Sequence, residues 1–298
     1  MTAFLPTIST AELKKRLQHI TGERNPFSSP RHLAQVENYI EREFASYRLS
    51  VESDTFTHLG RSYRNIIART APHPYPSPIG RGKEGEGLVI LGAHFDSVEG
   101  TPGADDNASG VAVLLEAARI LSGLRLRSPV LFCAFNLEEL NMIGSAHFAK
   151  KLKAAGAKVR AMVSLEMVGF TDSKPGSQKY PIGLRWFYPD HGNFIGVIGN
   201  WRSTALLRQF SYSMRQVRGL PVETLTVLGN GFLIPQVRLS DHSPFWDLGY
   251  PALMITDTSF FRNPHYHGAS DTADTLDLDF MAKVCQGVIY AVSYIAGL

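Results

Sequence analysis

Short apolar runs alternating with helical segments predict an α/β fold, a mixed and mainly parallel central sheet with helices on both faces. Three observations carry this expectation. The runs GLVILGAHFD, SPVLFCAFNL, AMVSLEMVGF and PALMIT are short and continuously apolar, as strands buried on both faces require. Segments with helical spacing of apolar residues lie between most of them. The chain has 298 residues, 44% of them hydrophobic, enough for the core of one large domain. Residues 1–298 are therefore read as a single domain.

The elements follow in order. Thr10 to Leu17 reads as a first helix, with Ser9 or Thr10 as its N-cap. His32 to Tyr47 is a second, amphipathic helix, with Leu33, Val36, Tyr39, Ile40 and Phe44 at helical spacing. Two short strands are expected around Val51–His58 and Tyr63–Ala68. Residues 71–87, APHPYPSPIGRGKEGEG, crowd proline, glycine and charge together and read as a surface loop inserted between strands. Then come the strand GLVILGAHFD, the helix GVAVLLEAARILSGL, the strand SPVLFCAFNL, a helix over 141–155 and the strand AMVSLEMVGF. Phe194–Ile198 is strand-like and Ser203–Val217 helical, and after the strand PALMIT a helix over Thr275–Ala296 closes the chain.

Composition excludes several classes. With 30 basic and 27 acidic residues the net charge is +3, which gives no basic stripe for nucleic acid. No apolar stretch approaches the ~20 residues of a membrane span. The first residues, MTAFLPTISTAELKKRL, lack the basic start and unbroken apolar run of a secretory signal, so a cytoplasmic protein is expected. Cys133 and Cys285 sit in apolar segments and read as buried, reduced thiols.

The chemistry gathers at the carboxyl ends of the expected strands, where ligand sites of open α/β sheets lie. His94-Phe-Asp96 ends one strand. Alternate residues share a face there, so His94 can ligate a metal while Asp96 accepts a hydrogen bond from the other ring nitrogen. In PGADDNASG the residues Asp106, Asn107 or Ser109 can cap the following helix, but two adjacent aspartates exceed what a cap needs, and a carboxylate with two oxygens can bridge two cations. Glu138-Glu139 follows the next strand; read blandly they are solvated charge, read chemically one binds an ion and its neighbour takes a proton from water. Glu166 ends an apolar run where an unpaired acid is costly to bury. His267 lies in a polar loop with His265, Tyr266 and Asp271. Imidazole and carboxylate together suit zinc and similar divalent ions.

In this order and spacing H-x-D, G-A-D-D-N-A-S-G, E-E, an acid after the next strand and H-x-x-x-D-T resemble the M28 metallopeptidases, zinc aminopeptidases and their relatives, from about Asn65 to the C-terminus. The resemblance implies two divalent metal ions, zinc by expectation. It makes His94 a terminal ligand, Asp106 the bridge, Glu139 and His267 further ligands, and Glu166 the fourth ligand where the family often has aspartate. It also makes Asp96 the partner of His94, Glu138 the general base that deprotonates a metal-activated water and returns the proton to the leaving amine, and Tyr266 the donor that steadies the oxyanion. Ser240-Asp241-His242 matches a familiar stretch and reads as support beside the site. The implied activity is a di-metal exopeptidase acting on a peptide substrate, with aminopeptidase preferred by analogy over carboxypeptidase or dipeptidase. A glutaminyl-cyclase-like single-zinc acyltransferase and a non-catalytic peptide-binding relative are the rival readings. Arg238 and Arg262 are candidates for a carboxylate pocket, and Phe232, Phe260 and Phe261 for an apolar one. The oligomeric state is left open.

Overall fold

In the computed structural model, which describes residues 7–70 and 87–298, eight strands form one sheet. They are β1 (Ser50–His58), β2 (Arg61–Arg69), β3 (Leu88–His94), β4 (Val130–Phe135), β5 (Val159–Glu166), β6 (Ile195–Asn200), β7 (Val222–Val227) and β8 (Ala252–Thr256). Their spatial order is β1-β2-β4-β3-β5-β8-β6-β7. β3 runs parallel to β4 and β5, β5 to β8, and β6 to β7; the pairs β1–β2, β2–β4 and β6–β8 are antiparallel. The sheet is mixed and mainly parallel, as the apolar runs predict. The expected insertion at 71–87 falls, but for Gly87, outside the described residues.

Alternation along the strands divides the core. On β3 and β4, Val89, Leu91, Ala93, Val130, Phe132 and Ala134 face one side, and Ile90, Leu131, Cys133 and Phe135 the other. The first side packs against helices α1 (Thr10–Ile20), α2 (Pro30–Ser46), α3 (Gly110–Leu121), α5 (Thr204–Met214) and α7 (Leu278–Ala296). The second packs against α4 (Ile143–Ala154) and the short α6 (Ser243–Asp247) through Phe148, Leu152, Phe245 and Trp246. Each fully buried side chain of this size contributes about 1.5–3 kcal/mol. Cys133 and Cys285 are buried and free. Among the described residues no helix is long and apolar enough to cross a membrane.

Local chemistry sets the boundaries. Ser9 caps α1 by accepting from the Glu12 amide. α2 begins at Pro30, two residues before the expected start, because proline suits the first helical position. Asp277 accepts from the Phe280 amide, so α7 starts at Leu278 rather than at Thr275. β7, VETLTV, has too many polar residues to read as a buried strand; it is the sheet edge, where only part of each side chain needs cover.

One residue of no sequence distinction fixes the loop after β3. Arg24 is fully buried and donates to the carbonyls of Ile20, Gly22, Phe95, Pro102 and Gly103. Its planar fork ties the segment after α1 to the loop that carries Asp96 and leads to Asp106. Burial lowers its pKa to about 10, against the pull of Asp106, Asp96, Asp271 and Glu139. Arg24→Met would strand these carbonyls and remove a cation from beneath an acidic cluster. We expect it to lower the unfolding free energy by about 3–5 kcal/mol in urea titrations; a loss under about 1 kcal/mol would contradict this role.

Candidate metal centre

The acidic and imidazole groups singled out in the sequence converge at the carboxyl ends of β3, β4, β5 and β8. His94 is the last residue of β3 and Glu166 the last of β5. Glu138 and Glu139 follow β4, and Asp106 lies in the kinked turn Ala104–Ser109 that enters α3. The loop after β8 supplies His267.

Asp106 stands between the two histidines. Its Oδ1 lies 3.3 Å from His94 Nε2 and its Oδ2 3.1 Å from His267 Nε2. On the first side Glu166 Oε2 is 3.6 Å from His94 Nε2; on the second Glu139 Oε2 is 3.4 Å from His267 Nε2. Donor atoms of His94, Asp106 and Glu166 lie within 4.8 Å of one another, as do those of Asp106, Glu139 and His267. Glu138 Oε2 is 3.9 Å from His94 Nε2.

The donor set fits divalent cations. Buried His94 Nε2 and Glu139 Oε1 have no hydrogen-bond partner, although polar atoms surround them. Burial opposes charging of His94, yet Glu166 and Glu138 raise its pKa well above the ordinary value; Asp106 and Glu139 likewise raise His267 to about 10 against its burial. Burial works against Asp106 too, but the two imidazoles outweigh it and hold its carboxyl below the usual range. Burial, and then the charge of Asp106, push Glu139 up to about 7. Protons occupying a cluster of imidazole and carboxylate donors do what bound cations would do there.

The surrounding residues set the positions of these groups. Asp96 Oδ1 accepts from the Glu138 amide at 3.0 Å and Oδ2 from the Glu139 amide at 3.1 Å. Its Oδ1 is also 3.5 Å from His94 Nδ1, while the nearer acceptor for that nitrogen is the Asp96 carbonyl at 3.3 Å. Asp271 repeats the device, accepting from the Asp105 and Asp106 amides at 2.9 and 3.1 Å. Asn107 donates to Leu165 O and accepts from the Met167 amide, which locks the turn beside β5 rather than merely capping α3. Asp105 accepts from Gly169 N and Asn263 Nδ2 and is hydrogen-bonded to Asp257, a buried acid with no signal in the sequence. Leu137, Met167 and His267 adopt left-handed backbone, placing strain immediately beside Glu138, Glu166 and the last imidazole.

Other candidates sort themselves. Ser240 donates to Glu166 Oε2 at 2.7 Å, so that segment does support the site. Arg262 donates to Gln178 Oε1 and the Phe194 carbonyl, and Arg238 pairs with Asp247; both are engaged away from the cluster. Phe260 and Phe261 line a cavity beside the cluster together with Tyr266, whereas Phe232 is exposed beneath the Arg238 guanidinium. His265 bonds Ser270. Arg24 and Asp257, which sequence reasoning missed, act through contacts to distant backbone or buried side chains and leave no local pattern.

Two measurements test this geometry. Zinc added to chelator-treated protein should raise Tm by several degrees, and Asp106→Asn should remove most of that rise, since one carboxylate serves both donor groups. His242 is fully buried with Nε2 donating to Val237 O and Nδ1 unpartnered, and burial lowers its pKa to about 3. Between pH 6.5 and 3 the unfolded chain binds a proton that the folded one does not, so stability falls as pH falls through this window. From pH 7 to 5 the metal-free protein should lose about 2 kcal/mol more than His242→Gln. Equal losses in the two proteins would contradict a neutral buried imidazole.

Comparison with known proteins supplies the family and the fold. The model of peptidase family M28 matches residues 77–292. The chain is 37% identical to YfbL of Escherichia coli (strain K12), over 94% of its own length and 87% of that protein. It is 30% identical to a probable leucine aminopeptidase of Arthroderma otae over 72% of its length, but spans only 55% of that relative. Among solved structures it resembles the LapA aminopeptidase of Legionella pneumophila, with a TM-score of 0.73 and 20% identity over 98% of this chain and 71% of that one. It resembles a Porphyromonas gingivalis glutaminyl cyclase as well, with a TM-score of 0.68 and 22% identity over 96% of this chain and 98% of that one. The two structural likenesses speak for the fold. The family match, which covers most of the chain, decides the assignment: the protein belongs to peptidase family M28.

Proposed function

We propose that this chain is a di-metal zinc exopeptidase, an aminopeptidase, built as a single catalytic domain over residues 1–298. The observation that carries the reading is Asp106, whose two oxygens face the two donor groups His94–Glu166 and Glu139–His267. His94, Asp106 and Glu166 would hold one ion, and Asp106, Glu139 and His267 the other. Bound zinc supplies Lewis acidity and lowers the pKa of water toward ~7.

The chain's own residues then handle the protons. Glu138, largely buried and with its pKa raised by that burial, has its backbone fixed by Asp96 and its Oε2 3.9 Å from His94 Nε2. Its Oε2 would take a proton from the attacking water and deliver it to the leaving amine. Burial, and then Asp106 and Glu166, push the Tyr266 phenol above its ordinary pKa, so it stays protonated and can donate to the oxyanion. Asp96 keeps His94 oriented. The family match and the leucine aminopeptidase name of a relative support cleavage at the amino end.

The glutaminyl-cyclase fold keeps a second reading open, in which one zinc supports cyclisation of an N-terminal glutamine. The donor group of Asp106, Glu139 and His267 speaks for a second ion and against it. Glu138→Gln should lower kcat on free-amine peptides by about 10²–10⁴-fold with zinc content unchanged. Hydrolysis retained in that variant would remove Glu138 as base, and cleavage of N-blocked peptides would move the reading to a carboxypeptidase.

A further inference from the structure

The cavity beside the acidic cluster has a floor that the strand register defines. Glu166 on β5 pairs with Thr256 on β8, Thr256 with Gly196 on β6, and Gly196 with Glu223 on the edge strand β7. Register partners present their side chains on one face, so this row runs from a candidate metal ligand to a second carboxylate about 14 Å away across the sheet. Gly196 keeps the middle of the row low, since a Cβ there would lie 3.2 Å from Thr256 O. The next row on the same face, Met254, Ile198 and Leu225, is apolar, and the cleft over these rows is open to solvent.

Glu223 is the unusual member. It is partly buried and lines the cavity, and its carboxylate has no hydrogen bond and no ion pair among the described residues. Burial raises its pKa, and Arg215 offsets this only through space, its guanidinium donating instead to Val222 O at 2.9 Å. Lys179 lines the same cavity, is exposed and forms no ion pair with it. Tyr180 and Tyr188 stack with centroids 5.7 Å apart and also line the cleft, and Tyr188 bonds the carbonyl of Thr224, next to Glu223. An unpaired carboxylate at the far end of an apolar trough, with aromatic faces at hand, is complementary to a cation on an aliphatic stem.

We propose that this cavity takes the side chain of an N-terminal lysine or arginine, with Glu223 receiving the cationic head. The inference rests on the peptidase reading above and adds its substrate class. The four-carbon stem of lysine lies along Met254, Ile198 and Leu225 while the residue's backbone stands over the acidic cluster. A leucine would fill only the near half and leave the Glu223 carboxylate without a cationic partner.

The test uses the zinc-loaded full chain with lysyl, arginyl, leucyl and norleucyl p-nitroanilides, beside calorimetric binding of lysinamide and norleucinamide. Norleucine has the aliphatic stem without the charge. We expect kcat/KM to favour lysyl over norleucyl by about tenfold or more, and Glu223→Gln to erase that ratio while leaving norleucyl within about threefold. Hydrolysis of every substrate with a lysyl-to-norleucyl ratio unmoved by Glu223→Gln would overturn the pocket assignment and leave the peptidase reading standing. If nothing is hydrolysed, lysinamide binding that Glu223→Gln weakens about tenfold would uphold the pocket and count against the peptidase reading. Absence of any Glu223-dependent binding would overturn the pocket in that case as well.

Discussion

Mutual repulsion among buried carboxylates is the constraint around which this molecule is arranged. Asp96, Asp106, Glu138, Glu139 and Glu166 meet at the carboxyl ends of neighbouring strands, and Asp105, Asp241, Asp257 and Asp271 lie just behind them. Removing so many acids from water is unfavourable unless each is bonded, protonated or bound to a cation. Three devices share the task. Backbone amides are aimed at Asp96 and Asp271, burial raises the pKa of Glu138 and of the Asp105–Asp257 pair and so opposes their charging, and Arg24 places a buried guanidinium beneath the group. Within the donor cluster, His94 Nε2 and Glu139 Oε1 remain unbonded, and behind them so do both oxygens of Asp241.

The two-amide clamp made by Asp96 and by Asp271 links fold to chemistry. Each accepts from consecutive amides of a segment that carries candidate ligands, so a carboxylate fixed elsewhere in the chain sets where the next one points. The clamp on Glu138–Glu139 starts just after β3, and the clamp on Asp105–Asp106 starts in the loop after β8. The residues on either side of Asp106 are therefore positioned by hydrogen bonds between segments far apart along the chain. Left-handed backbone at Leu137 and Met167, just after β4 and β5, and at His267 in the loop after β8 belongs to the same arrangement: tight turns beside the donors bring the side chains together sooner than regular geometry would.

Much of this was legible in the sequence, for a physical reason. Strands β3, β4, β5 and β8 are buried on both faces and appear as unbroken apolar runs, and the groups of interest lie at their ends, so fold and site could be read from one pattern. What escaped was encoded in other ways. β7 is an exposed edge whose polar residues disguise it, and with it went Glu223 and the floor of the cavity. Arg24 works through carbonyls as far along the chain as Gly103, and a backbone carbonyl carries no residue-specific signal. Asp96 was expected beside His94 and does lie there, but its hydrogen bonds to the Glu138 and Glu139 amides depend on how two loops meet, which no local spacing records.

The central claim is that Asp106 serves two cation sites at once. Anomalous diffraction at the zinc edge, from crystals grown with zinc, tests it most directly. The account predicts two peaks flanking Asp106, one among His94, Asp106 and Glu166 and the other among Asp106, Glu139 and His267. A single peak, or peaks that leave either oxygen of Asp106 without a metal, would contradict it.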